Sequence, residues 1–290
     1  MAMLAYKAPS TAEEAVQILA GASSRAKVLS GGTDLLVQLR SGRAKPELIV
    51  DIKKVPGISG IRERDGTFVI GAATSGAELG EHEGLKKAWP GVVEAANLIG
   101  STQVQGRASL GGNLCNASPA ADSVPALIAA RATCIVVGGK GRREVPVESI
   151  ATGPGRTSLA PDEFVLEFHL PKRPPRSADA YLRFIPRTEM DIAVVGAGVN
   201  LTLDAAGVVK DAHVALGAVA PTALLVPDAA KALMGRKLDE TALAGLDAAC
   251  RSACKPIDDK RGTIEYRVKV AGVMARRAAA IAYERAGERK

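Results

Sequence analysis

The sequence predicts an α+β chain in which sheet-forming stretches come first and helices close the molecule. Short apolar runs separated by turn signals occupy most of the first 220 residues, whereas from residue 227 onward long Ala-rich stretches carry apolar residues at every third or fourth position. A basic, proline-rich segment, Lys172-Arg173-Pro174-Pro175-Arg176, reads as an exposed linker at a domain boundary. At 290 residues two or three modest domains are expected. We divide the chain into units 1–56, 57–175 and 176–290.

In the first unit, Ser10-Thr11-Ala12-Glu13 has capping-box spacing, and Ala15, Ile18 and Leu19 continue an amphipathic helix. Residues 26–29 form a short strand that runs into Ser30-Gly31-Gly32-Thr33-Asp34; residues 34–40 make a short helix stopped by Gly42, and residues 48–52 a second strand. The result is a small βαβ-like unit. A strand, a Gly-Gly turn and a helix start hold phosphate in many folds. A tight turn without a ligand is the competing reading, since the dinucleotide spacing G-x-G-x-x-G is absent.

The second unit opens with candidate strands at 58–62 and 67–72 around an Asp65-Gly66 hairpin turn. Helical sequence follows over 85–100, with Pro90 placed to divide two helices. Then comes the stretch least like packing, residues 106–122, which gathers glycines, amides and one carboxylate between apolar segments. Glycine pairs let a ligand approach the backbone closely, and concave runs of N–H groups attract anions. Two such loops, at 30–34 and 109–113, are suited to the two ends of one pyrophosphate. Asp122 stands where a helix N-cap is expected, with Pro125 in the first turn; its carboxylate is also able to meet a sugar hydroxyl. Asn113 and Asn116 fit turns equally well. Strands are expected at 134–137, 144–147 and 163–170, and beyond the linker at 193–203 and 212–219. Helices complete the chain at 227–234, 239–254 and 263–284.

Composition narrows the function. Aromatics are only 3% of residues, which argues against base stacking on nucleic acid. The excess of 38 Lys and Arg over 31 Asp and Glu is dispersed, apart from clusters at 140–143 and 172–187, and reads as solvated surface. Cys115, Cys134, Cys250 and Cys254 include no C-x-x-C pair, and His82, His169 and His213 are scattered, so metal sites and histidine dyads have little to build on. No segment approaches the roughly 18 to 20 apolar residues of a membrane span, and no secretory leader is evident, so a cytoplasmic location is the expectation.

The two glycine loops and their order resemble the FAD-binding, or medium, subunit of the molybdenum hydroxylases, the family of xanthine, carbon monoxide and nicotinate dehydrogenases. The likeness rests on Ala26-Lys27-Val28-Leu29-Ser30-Gly31-Gly32-Thr33-Asp34-Leu35-Leu36, on Gln105-Gly106-Arg107-Ala108-Ser109-Leu110-Gly111-Gly112-Asn113-Leu114-Cys115-Asn116-Ala117-Ser118-Pro119-Ala120-Ala121-Asp122, and on Arg187-Thr188-Glu189-Met190-Asp191-Ile192-Ala193. It implies a two-part FAD-binding fold, a small βαβ domain plus a larger α+β domain, followed by a three-stranded antiparallel sheet with helices. It further implies that Val28, Leu29, Ser30, Gly31, Gly32, Thr33, Asp34, Leu35 and Leu36, with Ser109, Leu110, Gly111, Gly112 and Asn113, hold the pyrophosphate. Asp122 matches a carboxylate that meets the sugar hydroxyls, with Asn116 in the same motif; Thr74 and Thr102 fall on the approach, and Leu166 matches an apolar position beside the cofactor. Arg183 stands where several relatives carry Lys near the flavin ring, and Tyr181 either stacks on the ring or packs.

The resemblance implies an oxidoreductase subunit with no catalytic acid or base of its own. Its partners would be a molybdopterin-binding large subunit and a [2Fe–2S] small subunit, in a dimer of heterotrimers, with electrons leaving through FAD to an external acceptor. Two alternatives stand beside it: a free-standing FAD-dependent oxidoreductase of the wider fold group, and an assembly subunit without flavin.

Overall fold

The computed structural model describes residues 4–289. Its first sheet has three parallel strands in the order β1 (Ala5–Lys7), β3 (Leu48–Asp51), β2 (Ala26–Leu29). Helix α1 (Ala12–Ala22) packs Ala12, Ala15, Val16 and Leu19 against it. The capping box is one residue later than expected: Thr11 Oγ1 accepts from the Glu14 amide at 3.1 Å, and the Glu14 carboxylate accepts from the Ser10 amide at 2.7 Å. Helix α2 (Leu35–Arg40) follows the first glycine pair and buries none of its residues.

The second sheet is antiparallel, in the order β4 (Ile61–Arg64), β5 (Thr67–Gly71), β10 (Phe164–Leu170), β6 (Thr133–Gly138), β7 (Gly141–Pro146). The β4–β5 turn has positive φ at both Asp65 (54°) and Gly66 (82°), the combination a two-residue hairpin favours. Between β5 and β6 run α3 (Gly76–Glu81), α4 (Glu83–Ala88), α5 (Pro90–Asn97), α6 (Thr102–Gln105), α7 (Leu110–Cys115) and α8 (Ser123–Ala129); Pro90 begins α5 as its first residue. A small hairpin, β8 (Ala151–Gly153) with β9 (Arg156–Thr157), precedes β10. One apolar core joins α1, the first sheet and the second.

The third sheet has three long antiparallel strands, β11 (Ser177–Phe184), β12 (Val195–Leu203) and β13 (Val209–Gly217), plus the two-residue β14 (Leu224–Leu225) at its edge. Strand alternation splits its faces. Ala178, Ala180, Val199 and Leu201 pack with α9 (Pro227–Leu233), α10 (Glu240–Ala253) and α11 (Ile264–Glu288) in a second core. Gly198 and Gly217 let the Pro125 turn of α8 approach the other face, since a Cβ at either would fall 2.7 Å from Pro125 atoms. Strand β11 lies inside the basic cluster 172–187, where the residue pattern predicts no strand. Its Asp179, Tyr181 and Arg183 bond residues of the second unit, and the Arg173 side chain of the expected linker is buried too, 2.7 Å from Asp179 and 3.7 Å above the Trp89 ring.

Candidate functional site

The two glycine loops meet. A Cβ on Gly31 would lie 1.7 Å from the Arg107 carbonyl oxygen, so only glycine permits the backbones to touch there. Ser30 Oγ lies 2.9 Å from Ser109 Oγ, and Gln38 Nε2 donates to Asn116 Oδ1 at 2.8 Å, bridging α2 to the end of α7. Between them opens a cleft enclosing about 250 Å³.

Val28, Ser30, Gly31, Gly32, Thr33, Asp34 and Leu35 line one side, and Ser109, Gly111, Gly112, Asn113 and Asn116 the other. The remaining sequence-predicted residues stand outside this lining. Leu110 and Leu166 are buried side chains behind it, and Thr74 is buried with its hydroxyl donating to the Gly60 carbonyl at 3.1 Å. Thr102 and Leu36 are exposed; Leu29 lies below Gly32, where its Cδ1 would be 2.9 Å from an added Cβ. Asp122 and Arg183 are not lining residues and pair with each other.

The second glycine pair is not the open turn its composition suggests. Gly111 and Gly112 sit inside α7, without positive φ, after Ser109 accepts from the Gly112 amide at 3.2 Å as an N-cap. Gly111 is required by packing: its amide bonds the Ala72 carbonyl at 2.9 Å, and a Cβ would fall 2.6 Å from that same oxygen. Gly32, by contrast, takes φ +81°.

Asp122 does not cap α8. Its backbone is helical and its side chain makes no cap bond; Asn113 Oδ1 serves instead, accepting from the Ser123 amide at 3.1 Å and hydroxyl at 2.7 Å. The Asp122 carboxylate accepts from Arg183 at 3.0 Å and from the Tyr181 hydroxyl at 3.3 Å, while Arg183 also donates to the Leu98 carbonyl at 2.6 Å. Burial lifts the Asp122 carboxyl to about 6, with Arg183 and Tyr181 pulling the other way. Tyr181 thus packs and hydrogen-bonds here. Since Ile99 lines the cleft, Arg183 braces its wall through Leu98.

Sequence reasoning missed Gln38, Ile99 and the far wall from Gly155 to Val165. Gln38 was within reach, four residues after Asp34 on the same helix face. The far wall arrives through sheet pairing and carries no local signature. Glu163 on that wall is held by Arg143 at 2.8 Å and 2.9 Å, whose hydrogen bond keeps the carboxyl below its ordinary value. Among the described residues no group of three or more His, Cys, Asp or Glu is placed to hold a metal ion, and no helix is long and apolar enough to cross a membrane. The cleft offers hydroxyls, amides and two glycine-permitted close approaches, a donor set that fits a dinucleotide's pyrophosphate.

Comparison with known proteins agrees. Residues 2–173 match the family described as FAD binding domain in molybdopterin dehydrogenase, and residues 180–282 match the CO dehydrogenase flavoprotein C-terminal domain. The chain belongs to the FAD-binding medium subunits of the molybdenum hydroxylases. It is 33% identical to the carbon monoxide dehydrogenase medium chain of Hydrogenophaga pseudoflava over 97% of each chain. It is 30% identical to the putative xanthine dehydrogenase FAD-binding subunit of Escherichia coli (strain K12), again over 97% of each. The solved reconstituted CO dehydrogenase from Oligotropha carboxidovorans superposes with a TM-score of 0.94 at 32% identity, covering 98% of both chains. This medium subunit is therefore an oxidoreductase component of the FAD type, and its relatives carry names of parts of larger enzymes: medium chain, FAD-binding subunit.

Proposed function

We propose that this medium subunit holds FAD between its two glycine loops. In this reading it receives electrons from the [2Fe–2S] clusters of a small subunit, reduced in turn by a molybdopterin-binding large subunit, and releases them to an external acceptor. The assembly is a cytoplasmic dimer of heterotrimers. The observation that carries the proposal is the direct contact of the two loops, Gly31 against Arg107 and Ser30 against Ser109, across one cleft.

The loop residues 28–36 and 109–113 orient the pyrophosphate through amides and the Ser30, Thr33 and Ser109 hydroxyls; Asn116, already turned into the cleft, addresses a sugar hydroxyl. Leu110, Leu166 and Thr74 exclude water from behind, and Asp122 with Arg183 fixes the wall at Leu98 and Ile99. Thr102 stands at the approach. When bound, FAD supplies the exchange between one-electron and two-electron traffic. The chain's own part is to bind, orient and exclude water.

The test is an absorbance spectrum of the purified chain after incubation with FAD and removal of the excess: flavin bands retained at about one per chain are expected, and none would end the proposal. Affinity purification from the native host should also recover an iron–sulfur and a molybdopterin subunit. A monomer that oxidises substrate unaided would favour a free-standing oxidoreductase.

A further inference from the structure

Where β2 ends, Ser30 has left the ladder: the last register pair is Leu29 with Asp51, so the Ser30 carbonyl lies beyond the strand's own hydrogen bonding. Lys53 reaches it. Its ammonium donates to the Ser30 carbonyl at 3.2 Å and to both oxygens of Asp51 at 2.8 Å. Asp51 is itself fixed from two more directions, accepting from the Tyr6 hydroxyl at 2.6 Å and from the Lys53 amide at 3.0 Å. Burial works against charge on Asp51, but the Lys53 and Tyr6 hydrogen bonds outweigh it and hold the carboxyl below its ordinary value. On its other side, Ser30 Oγ meets Ser109 Oγ, which caps α7 through the Gly112 amide. One chain of bonds thus runs from the outer strand β1, through β3 and Lys53, into both glycine loops.

We propose that Lys53 is a positioning residue for the cofactor site: anchored by Asp51, it fixes the Ser30 carbonyl and with it the orientation of the first glycine loop. The inference rests on the reading of the cleft as a FAD site. Three geometric facts favour a positioning role over a surface ion pair. The ammonium has three donors, and the protein supplies acceptors for all of them in one place. Its Asp51 partner is nearly enclosed, with a side chain only 10% exposed. The residue before Lys53, Ile52, lines the same cleft as Ser30. A carbonyl left free at the strand end would let the loop rotate about Ser30, and binding would then have to order the loop at its own expense of affinity.

The test uses the full chain stripped of flavin, titrated with FAD by fluorescence quenching, alongside its cofactor-free melting temperature and amide hydrogen exchange at residues 30–34. Lys53→Met should weaken FAD binding about fivefold, the scale of one partly exposed charge-assisted hydrogen bond, and should speed exchange at residues 31 and 32 while lowering the melting temperature by at most a few degrees. Lys53→Arg, which keeps charge and donors, should restore both readouts. Asp51→Asn should match Lys53→Met, and the double variant should be no worse than either. Wild-type affinity and exchange in Lys53→Met would overturn the proposal, as would a loss of affinity matched by a general loss of stability. If the wild-type chain itself fails to take FAD, the cofactor reading falls, and the exchange data still decide whether Lys53 orders the loop.

Discussion

The two glycine loops share a composition and differ in what holds them. Residues 109–115 form a turn of helix embedded in the core, with Leu110 and Leu114 fully buried and Gly111 pressed on the Ala72 carbonyl. Residues 30–40 hang from the end of a three-stranded sheet: α2 buries nothing, and Leu36 and Val37 are 48% and 62% exposed. The difference teaches that a glycine pair has two separate physical meanings. In the second loop it permits close packing and is part of the fold; in the first it permits a left-handed backbone at Gly32 and contact with Arg107, and serves the cleft.

Substitution at Gly111 should produce the largest effect. Gly111→Val places a branched Cβ 2.6 Å from the Ala72 oxygen and breaks an amide–carbonyl bond, a cost of roughly 3 kcal/mol or more. Thermal unfolding should show a strongly lowered midpoint in the flavin-free chain. A midpoint equal to the wild type would remove the contrast between the loops.

The embedded half also carries a buried charge. Burial raises the Asp122 carboxyl from an ordinary 3.8 to about 6, so the native state holds that proton more tightly than the unfolded chain. The contribution of Asp122 to stability is therefore most favourable below its unfolded value, declines as pH rises from about 4 to about 6, and is constant above. At about 1.4 kcal/mol per pKa unit the decline is roughly 3 kcal/mol. Urea denaturation across that window should show Asp122→Asn lacking the slope relative to wild type. A parallel profile would mean that Arg183, not solvent exclusion, dominates the carboxyl.

Much of this was legible in the sequence, for stated reasons. The Asp65-Gly66 hairpin, the break at Pro90 and the three C-terminal helices follow from local turn chemistry and periodicity, and the glycine pairs marked both loops. Strand β11 was not legible, because the basic, proline-rich segment before it reads as an exposed linker while Asp179, Tyr181 and Arg183 find partners in α5, in Asp122 just before α8 and in Arg173. Asp122 was misjudged as a cap for the same kind of reason. Its local context favours a helix start, but Asn113, ten residues before Ser123, already takes the Ser123 amide, which leaves the carboxylate free for Arg183. Strand β1 has three residues, all exposed, too short for any pattern to register. What sequence cannot supply, in each case, is a partner that arrives only on folding.

The smallest expected effect on the fold lies in the hanging loop. Gly32 holds φ +81°, and an alanine there costs about 1 to 2 kcal/mol in a left-handed conformation. The added Cβ would meet chiefly the Leu29 and Leu36 side chains, at 2.9 Å and 3.4 Å, and both can rotate away because neither is enclosed by the core. The strain therefore stays in residues 30–36. Gly32→Ala should lower the melting midpoint of the flavin-free chain by only a few degrees, at about 2 to 4 °C per kcal/mol, while weakening FAD retention by a larger factor, because the loop must still adopt the left-handed turn to present its amides. Gel filtration with absorbance detection measures the retained flavin directly. Should Gly32→Ala destabilise the chain as severely as Gly111→Val, the first loop would be as much a part of the core as the second.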